Sequence, residues 1–267
     1  MGALLFLIAS MNNFVACEQS DLQKQLAQLT AEKPFDFFDL NLSKQDLQTL
    51  ESIVIDEENS FGKHETLALN HYGSLDGYLL KVSDFLQRFG NDQETACEGA
   101  QVIYTIIENC LTLSDYPEAW IAIRVFKKNH TYDEARWHID ESLYRNDANY
   151  SYKLSCVLKG ASTLLCHVTA ATRIEFFKIQ SNSDSRQRQG TKSIRSRLVD
   201  LLEDSKVYQA KVGQGVMFIM GDKTIGAIHS EPKIDESRIF ISIVPGSHDQ
   251  IQELYNRWHA IIQGRFK

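Results

Sequence analysis

The sequence predicts an α+β chain: a helical N-terminal region, an antiparallel β core, and one closing C-terminal helix. Three observations carry that expectation. Between residues 18 and 115, apolar residues recur at helical spacing behind good capping residues. From Tyr116 onward, short runs rich in β-branched and aromatic residues are broken by glycines and polar turns. No long helix separates those runs, which favours a sandwich or barrel over a parallel α/β sheet.

The helical elements come first. "SDLQKQLAQLTAEK" opens on a serine suited to an N-cap and spaces its leucines along one face. "LSKQDLQTLESIVIDE" repeats the pattern with Ser43 as cap. "DGYLLKVSDFLQRFG" carries an apolar stripe and stops at Gly90, a C-cap residue. "TACEGAQVIYTIIENCLTL" continues the helical texture. The strands follow. "AWIAIRVFKKN" is the first and "ARWHIDES" the second. "YSYKLSCVLKGASTLLCHVTAA" reads as two neighbouring strands joined by a turn around Lys159–Ser162, and "RIEFFKI" as a further strand. "KVYQAKVGQGVMFIMGD" gives two more, broken at Gly213 and Gly215, before "GAIHSEP" and "SRIFISIVPG". "DQIQELYNRWHAIIQGRFK" is the amphipathic closing helix. The expected organisation is a segment 1–17, a helical region 18–115 packing on the core, and a β domain 116–267. A polar insertion at about 180–207 interrupts that domain.

Composition narrows the class. Of 267 residues 43% are apolar and 24% charged, as in a globular protein, and the formal net charge is -7. An acidic surface speaks against non-specific nucleic-acid binding, which needs Lys and Arg on phosphates. No apolar run reaches the roughly 18–20 residues of a transmembrane helix. "GALLFLIAS" followed by "FVAC" resembles a secretory signal ending at a lipid-modified Cys17. No Lys or Arg precedes it and polar "SMNN" interrupts it, so a start at Met11 or a buried segment is the other reading. A cytoplasmic location is the expectation, with export or anchoring through Cys17 as the alternative. The five cysteines form no CxxC pair; Cys156 and Cys166 could pair across neighbouring strands or stay buried thiols.

The chemistry centres on "RWHIDES". On a strand, His138 and Asp140 project from one face while Trp137 and Ile139 pack on the other. On a helix the same two side chains would diverge. His229, in "GAIHSEP", offers a third ligand. Two imidazoles and one carboxylate on one side of a metal leave positions open for a co-substrate and dioxygen, the arrangement of non-haem Fe(II) oxygenases. Arg238 follows nine residues after His229. Alternation puts Arg238, Phe240 and Ser242 on one face and Ile239, Ile241 and Ile243 on the other. A guanidinium leading an inward face needs an anion, which could be Glu231, Asp235 or a bound carboxylate. His130, His167, His248 and His259 lack such a context. There is no Walker loop, HExxH or GxSxG, and "GQG" lacks the strand–loop–helix setting of a dinucleotide site.

The order "RWHID", "GQGVMFIMGD", "AIHS", "SRIFISI" resembles the Fe(II)/2-oxoglutarate-dependent dioxygenase superfamily, and more loosely a bacterial branch of it, over roughly residues 118–246. The resemblance implies a double-stranded β-helix, or jelly roll, using Fe(II), 2-oxoglutarate and dioxygen to oxidise a substrate. It implies that His138, Asp140 and His229 bind iron and that Arg238 binds 2-oxoglutarate. Tyr152 or Lys153 would add a hydrogen bond to the co-substrate; strand parity alone leaves both open. Many members carry a small hydroxyl residue two positions after the arginine, where this chain has Phe240. The basic stretch with Arg186 and Arg188 is either a solvated loop or a docking site for an anionic substrate. Two other functions share the same residues: a non-catalytic jelly-roll binding module, and a hydrolase or isomerase using the three ligands with another metal.

Overall fold

The computed structural model describes residues 20–114, 116–144, 151–181, 192–221 and 223–262. In chain order these form α1 (Ser20–Ala27), β1 (Phe35–Asp39), α2 (Lys44–Ser52), α3 (Glu57–Ser60), β2 (Thr66–Gly73), α4 (Tyr78–Gln87) and α5 (Gln93–Ser114). Then come β3 (Glu118–Phe126), β4 (Ser151–Lys159), β5 (Leu164–His167), α6 (Ala170–Ser181), α7 (Ile194–Leu202), β6 (Lys206–Tyr208), β7 (Gln214–Met220), β8 (Ile228–Ser230), β9 (Arg238–Gly246) and α8 (His248–Ile262).

The strands build two antiparallel sheets. The larger has the order β1-β7-β4-β9-β3-β2 and the smaller β6-β5-β8. The segment 138–141 joins the smaller sheet at His138, which exchanges two backbone hydrogen bonds of 2.9 Å with His229 of β8, and its far end bridges Gly221 just after β7. Followed along the chain, β3, 138–141, β4 and β5 alternate between the sheets, and β6, β7, β8 and β9 do the same. The inner order β3-β9-β4-β7 faces 138–141, β8, β5 and β6. This is a double-stranded β-helix.

Side-chain alternation sorts the larger sheet into two faces. Ile239, Ile241 and Ile243, with Leu154, Cys156, Met217, Ile121 and Ile123, pack under Val82, Leu86, Ile103, Ile106 and Ile107 of α4 and α5. Each such isoleucine contributes about 1.5–3 kcal/mol through burial. The opposite face carries Val216, Phe218, Met220 and Val244 toward Leu165 of β5 and Ala227, which immediately precedes β8. Ser43 caps α2 in a reciprocal capping box with Asp46, and Gly90 follows α4 at φ +91°.

Four sequence expectations are corrected. The region 18–115 is not helical throughout: β1 and β2 are strands that extend the larger sheet, pairing with β7 and β3. "RIEFFKI" lies in α6, with Arg173, Phe176 and Ile179 buried at helical spacing. β4 and β5 do not pair; they belong to different sheets, so Cys156 and Cys166 are separate buried thiols. "RWHIDES" is an extended segment held by bridges at His138 and Glu141 rather than a full strand. Among the described residues no helix is long and apolar enough to cross a membrane. Cys17 and the segment 1–17 lie outside them.

Candidate metal centre

His138 reaches its place through its neighbours. Trp137 is buried among Cys166, Phe176, Leu198 and Ile228, and Ile139 packs on the same cluster. With those two side chains turned outward, His138 and Asp140 point between the sheets. Arg195 of α7 donates to the backbone carbonyls of Thr131 (2.7 Å) and Glu134, fixing the loop that leads into the segment. At its other end, Gly221 N–H donates to the Asp140 carbonyl at 2.8 Å.

The three candidate ligands converge. Asp140 Oδ1 lies 3.5 Å from His138 Nε2 and 3.5 Å from His229 Nε2. One ligand atom from each of the three residues lies within 4.8 Å of the others. The ring geometry fixes which nitrogen is available. His138 Nδ1 is 2.8 Å from the Arg136 carbonyl and His229 Nδ1 is 3.0 Å from the Ala227 carbonyl. A carbonyl can only accept, so each Nδ1 carries a proton, and Nε2 is the nitrogen that each neutral ring would turn to a metal at the shared centre. Burial lowers the pKa of His229 against the opposing pull of Asp140, which keeps its ring neutral at pH 7. Burial works to raise the Asp140 carboxyl, but the Lys153 ammonium and the two histidines outweigh it and hold the group ionised. Two imidazole nitrogens and one carboxylate oxygen suit a divalent first-row cation such as Fe(II).

The centre opens into a cavity of about 460 Å³. Lys153 lines it and binds Asp140 Oδ2 at 2.7 Å, with its ammonium 5.6 Å from the Phe218 ring. Tyr152 does not line it. It turns to the opposite face of β4 and packs on the core under the helices. Between the two residues that parity left open, the cavity side is therefore occupied by Lys153.

The chain is similar to several solved structures. They include the non-heme alpha-ketoglutarate-dependent carbocyclase SnoK from nogalamycin biosynthesis, with a TM-score of 0.42 and 11% identity over 85% of this chain and 84% of that one. The dioxygenase for auxin oxidation from rice gives 0.42 and 10%, covering 86% and 79%. A prolyl-4-hydroxylase from Pseudomonas putida gives 0.38 and 11%, covering 86% and 99%. No protein-family model and no curated protein matches the chain.

Arg238 sits on the same cavity wall, 2% exposed. Its Nε donates to the Ala161 carbonyl at 2.8 Å, and one terminal nitrogen is 3.5 Å from Thr163 Oγ1. Its carbon Cζ stands 4.6 Å from the Phe240 ring centroid and 5.3 Å from that of Phe126. Neither acid that could have paired with it does so. Glu231 forms a two-pronged pair with Arg136, Nε to Oε2 at 3.1 Å and a second closer contact, while Asp235 pairs with Lys233 at 2.9 Å. Among the described residues no carboxylate lies within ion-pair distance of Arg238. Burial lowers its pKa to about 10; Glu231 and Tyr132 oppose the shift and Arg124 adds to it. The guanidinium stays charged at neutral pH. Its remaining N–H donors are available to a ligand, with Phe240 supplying a ring to stack on and Thr163 a hydroxyl nearby.

The other sequence candidates fall elsewhere. Arg186 and Arg188 lie outside the described residues. In the same basic stretch Lys192 pairs with Asp200 at 2.7 Å, and Arg195 anchors the loop before His138. His130 and His248 bind Asp133 and Glu118, and His167 and His259 pack on aromatic rings, all away from the centre. Sequence reasoning passed over Trp120, Arg124 and Trp258, which line the cavity. In "AWIAIRVF", strict alternation puts Trp120, Ala122, Arg124 and Phe126 on one face, so a charged residue on an otherwise apolar face was the available signal.

Proposed function

We propose that the chain is a non-haem Fe(II)- and 2-oxoglutarate-dependent oxygenase. One observation carries the reading: a buried, charged Arg238, without an acidic partner among the described residues, shares a cavity with three converging candidate metal ligands. A buried cation of that kind costs several kcal/mol unless an anion meets it. The distal carboxylate of a dicarboxylic co-substrate is such an anion. Bound at this centre, Fe(II) would activate dioxygen, so that 2-oxoglutarate loses carbon dioxide to become succinate while one oxygen atom enters the substrate.

The residues of the chain supply position and charge. His138, Asp140 and His229 would hold the cation on one side and leave the cavity side open. The Arg136 and Ala227 carbonyls keep the two imidazoles in the ligating tautomer. Lys153 holds Asp140 Oδ2, which leaves Oδ1 as the ligating oxygen. Arg238, stacked by Phe240 and Phe126, would grip the far carboxylate in bidentate fashion, with the Thr163 hydroxyl beside it. Thr163 would supply the hydroxyl that position 240 lacks.

Anaerobic titration of the protein with Fe(II) and 2-oxoglutarate tests the reading. A weak visible metal-to-ligand charge-transfer band is expected, lost in Arg238→Ala at the same co-substrate concentration. His138→Ala and Asp140→Ala should no longer bind iron. A folded, iron-loaded wild type without the band would defeat the proposal and favour a jelly-roll binding module.

A further inference from the structure

Arg238 is not alone on the cavity wall in lacking an acid. Arg124, half-buried on β3, lines the same cavity. Among the described residues it has no carboxylate within ion-pair distance and no hydrogen-bond acceptor. The register places Arg124 opposite Phe240 and Phe126 opposite Arg238, so the two arginines are diagonal neighbours on one face. One co-substrate carboxylate answers the charge of Arg238. It leaves Arg124 facing the cavity with its charge unmet.

The wall beyond Arg124 has a different chemistry. Ala122 follows on the same face, then Trp120, which lies opposite Val244. Trp120 is backed by Tyr72, stacked at 6.0 Å with the rings 2° from parallel, and its Nε1 donates to Asn70 Oδ1 at 3.2 Å. Trp258 of α8 stands 5.9 Å from Trp120 at 39°, and its buried Nε1 has no hydrogen-bond partner among the described residues. At about 3.4 Å per residue, Trp120 and Arg124 stand roughly 13–14 Å apart along β3, with the small Ala122 between them. Leu154 pairs with Ile243, so Lys153 comes level with Val244 and Trp120. The aromatic end is therefore the end nearer Asp140 and the metal ligands, and the cationic end is the remote one.

We propose that the molecule oxidised in this cavity is an organic acid, with its acidic group on Arg124 and its apolar, unsaturated body against Trp120 and Trp258. This rests on the oxygenase reading above. A guanidinium without an acid partner among the described residues, a flat aromatic wall and an unused indole N–H recognise a flat anion better than a neutral sugar, a cationic peptide or a long alkyl chain. The inner face of β3 thus offers an anion site within the described residues, whereas Arg186 and Arg188 lie outside them. The other use of Arg124, as a second grip on the co-substrate carboxylate beside Arg238, is an outcome of the test.

The test uses the full chain loaded with Fe(II) under anaerobic conditions. The charge-transfer band with 2-oxoglutarate is recorded first; its absence in the wild type removes the oxygenase reading itself. With 2-oxoglutarate bound, 2-naphthoate, 3-phenylpropanoate and their primary amides are titrated by calorimetry and tryptophan fluorescence. At least one acid should bind more tightly than its amide by about tenfold or more, the scale of a charge-assisted hydrogen-bonded pair. Arg124→Met should remove that preference and leave the 2-oxoglutarate band in place, which also reports that the variant is folded. Three results would overturn the inference while the oxygenase reading stands: neither acid binds, acid and amide bind alike, or Arg124→Met keeps the preference. Loss of the 2-oxoglutarate band in Arg124→Met would assign both arginines to the co-substrate and overturn it as well.

Discussion

A single methyl group at Gly221 would be felt at the candidate metal centre. Gly221 has φ +86°, and a β-carbon there would stand 2.6 Å from the Ser142 backbone. Its own N–H holds the carbonyl of Asp140. Gly221→Ala therefore combines backbone strain, of the order of 1–3 kcal/mol, with a push on the segment that carries the candidate ligand Asp140. The expected result is a lower denaturation midpoint together with at least a tenfold weaker Fe(II) affinity, since displaced ligands bind poorly. Loss of stability with unchanged iron affinity would show that 138–142 is positioned by the Trp137 side alone. At this scale the sequence was legible where spacing decides the outcome. The i, i+2 relation of His138 and Asp140 survives even though the segment is bridged rather than a regular strand. The choice between Tyr152 and Lys153 was not legible, because it depends on which face of β4 the helices cover, and nothing local encodes that.

At the scale of elements, the larger sheet separates stability from chemistry. Its helix face holds Ile239, Ile241 and Ile243 under α5, and its other face holds Arg238, Phe240 and Val244 on the cavity. Ile106 of α5 is 1% exposed in that helix–sheet core. Ile106→Ala should cost about 2–5 kcal/mol, as for other buried isoleucines cut back to alanine. Chemical denaturation would measure the loss, and iron affinity of the folded variant should stay within about twofold, because additivity holds between sites that share no contacts. A parallel fall in iron affinity would mean that the two faces are mechanically coupled through β9. The core strands were readable because each alternates strongly or is bounded by glycine. α6 was misread from "RIEFFKI", whose β-branched and aromatic content outweighed the helical spacing of Arg173, Phe176 and Ile179. β1 and β2 were lost among helices because an edge strand in a helical region offers only a short alternation, and its partner lies far along the chain.

Over the whole molecule two electrostatic effects oppose each other. The chain carries a net charge of -7, which repels an incoming dianion at long range. Locally, Arg238 and Arg124 present guanidinium groups without an acidic partner among the described residues, and the metal would add a further positive charge. The two effects respond differently to salt. The Debye length falls from about 10 Å at 0.1 M to about 3 Å at 1 M, so salt suppresses the long-range repulsion far more than contact with the buried Arg238. Binding of 2-oxoglutarate can be followed in the Mn(II)-loaded protein as a rise in Tm. At about 100 times the Kd the stabilisation is about 2.7 kcal/mol, or a shift of several degrees for a chain of this size. That shift should hold, or grow slightly, as NaCl is raised from about 0.05 to about 0.5 M. It should vanish in Arg238→Met at either concentration. A shift that collapses with salt in the wild type would mean that exposed cations, such as those of the Lys192–Arg197 stretch, bind the dianion from the surface. The buried arginine would then need another explanation for its charge.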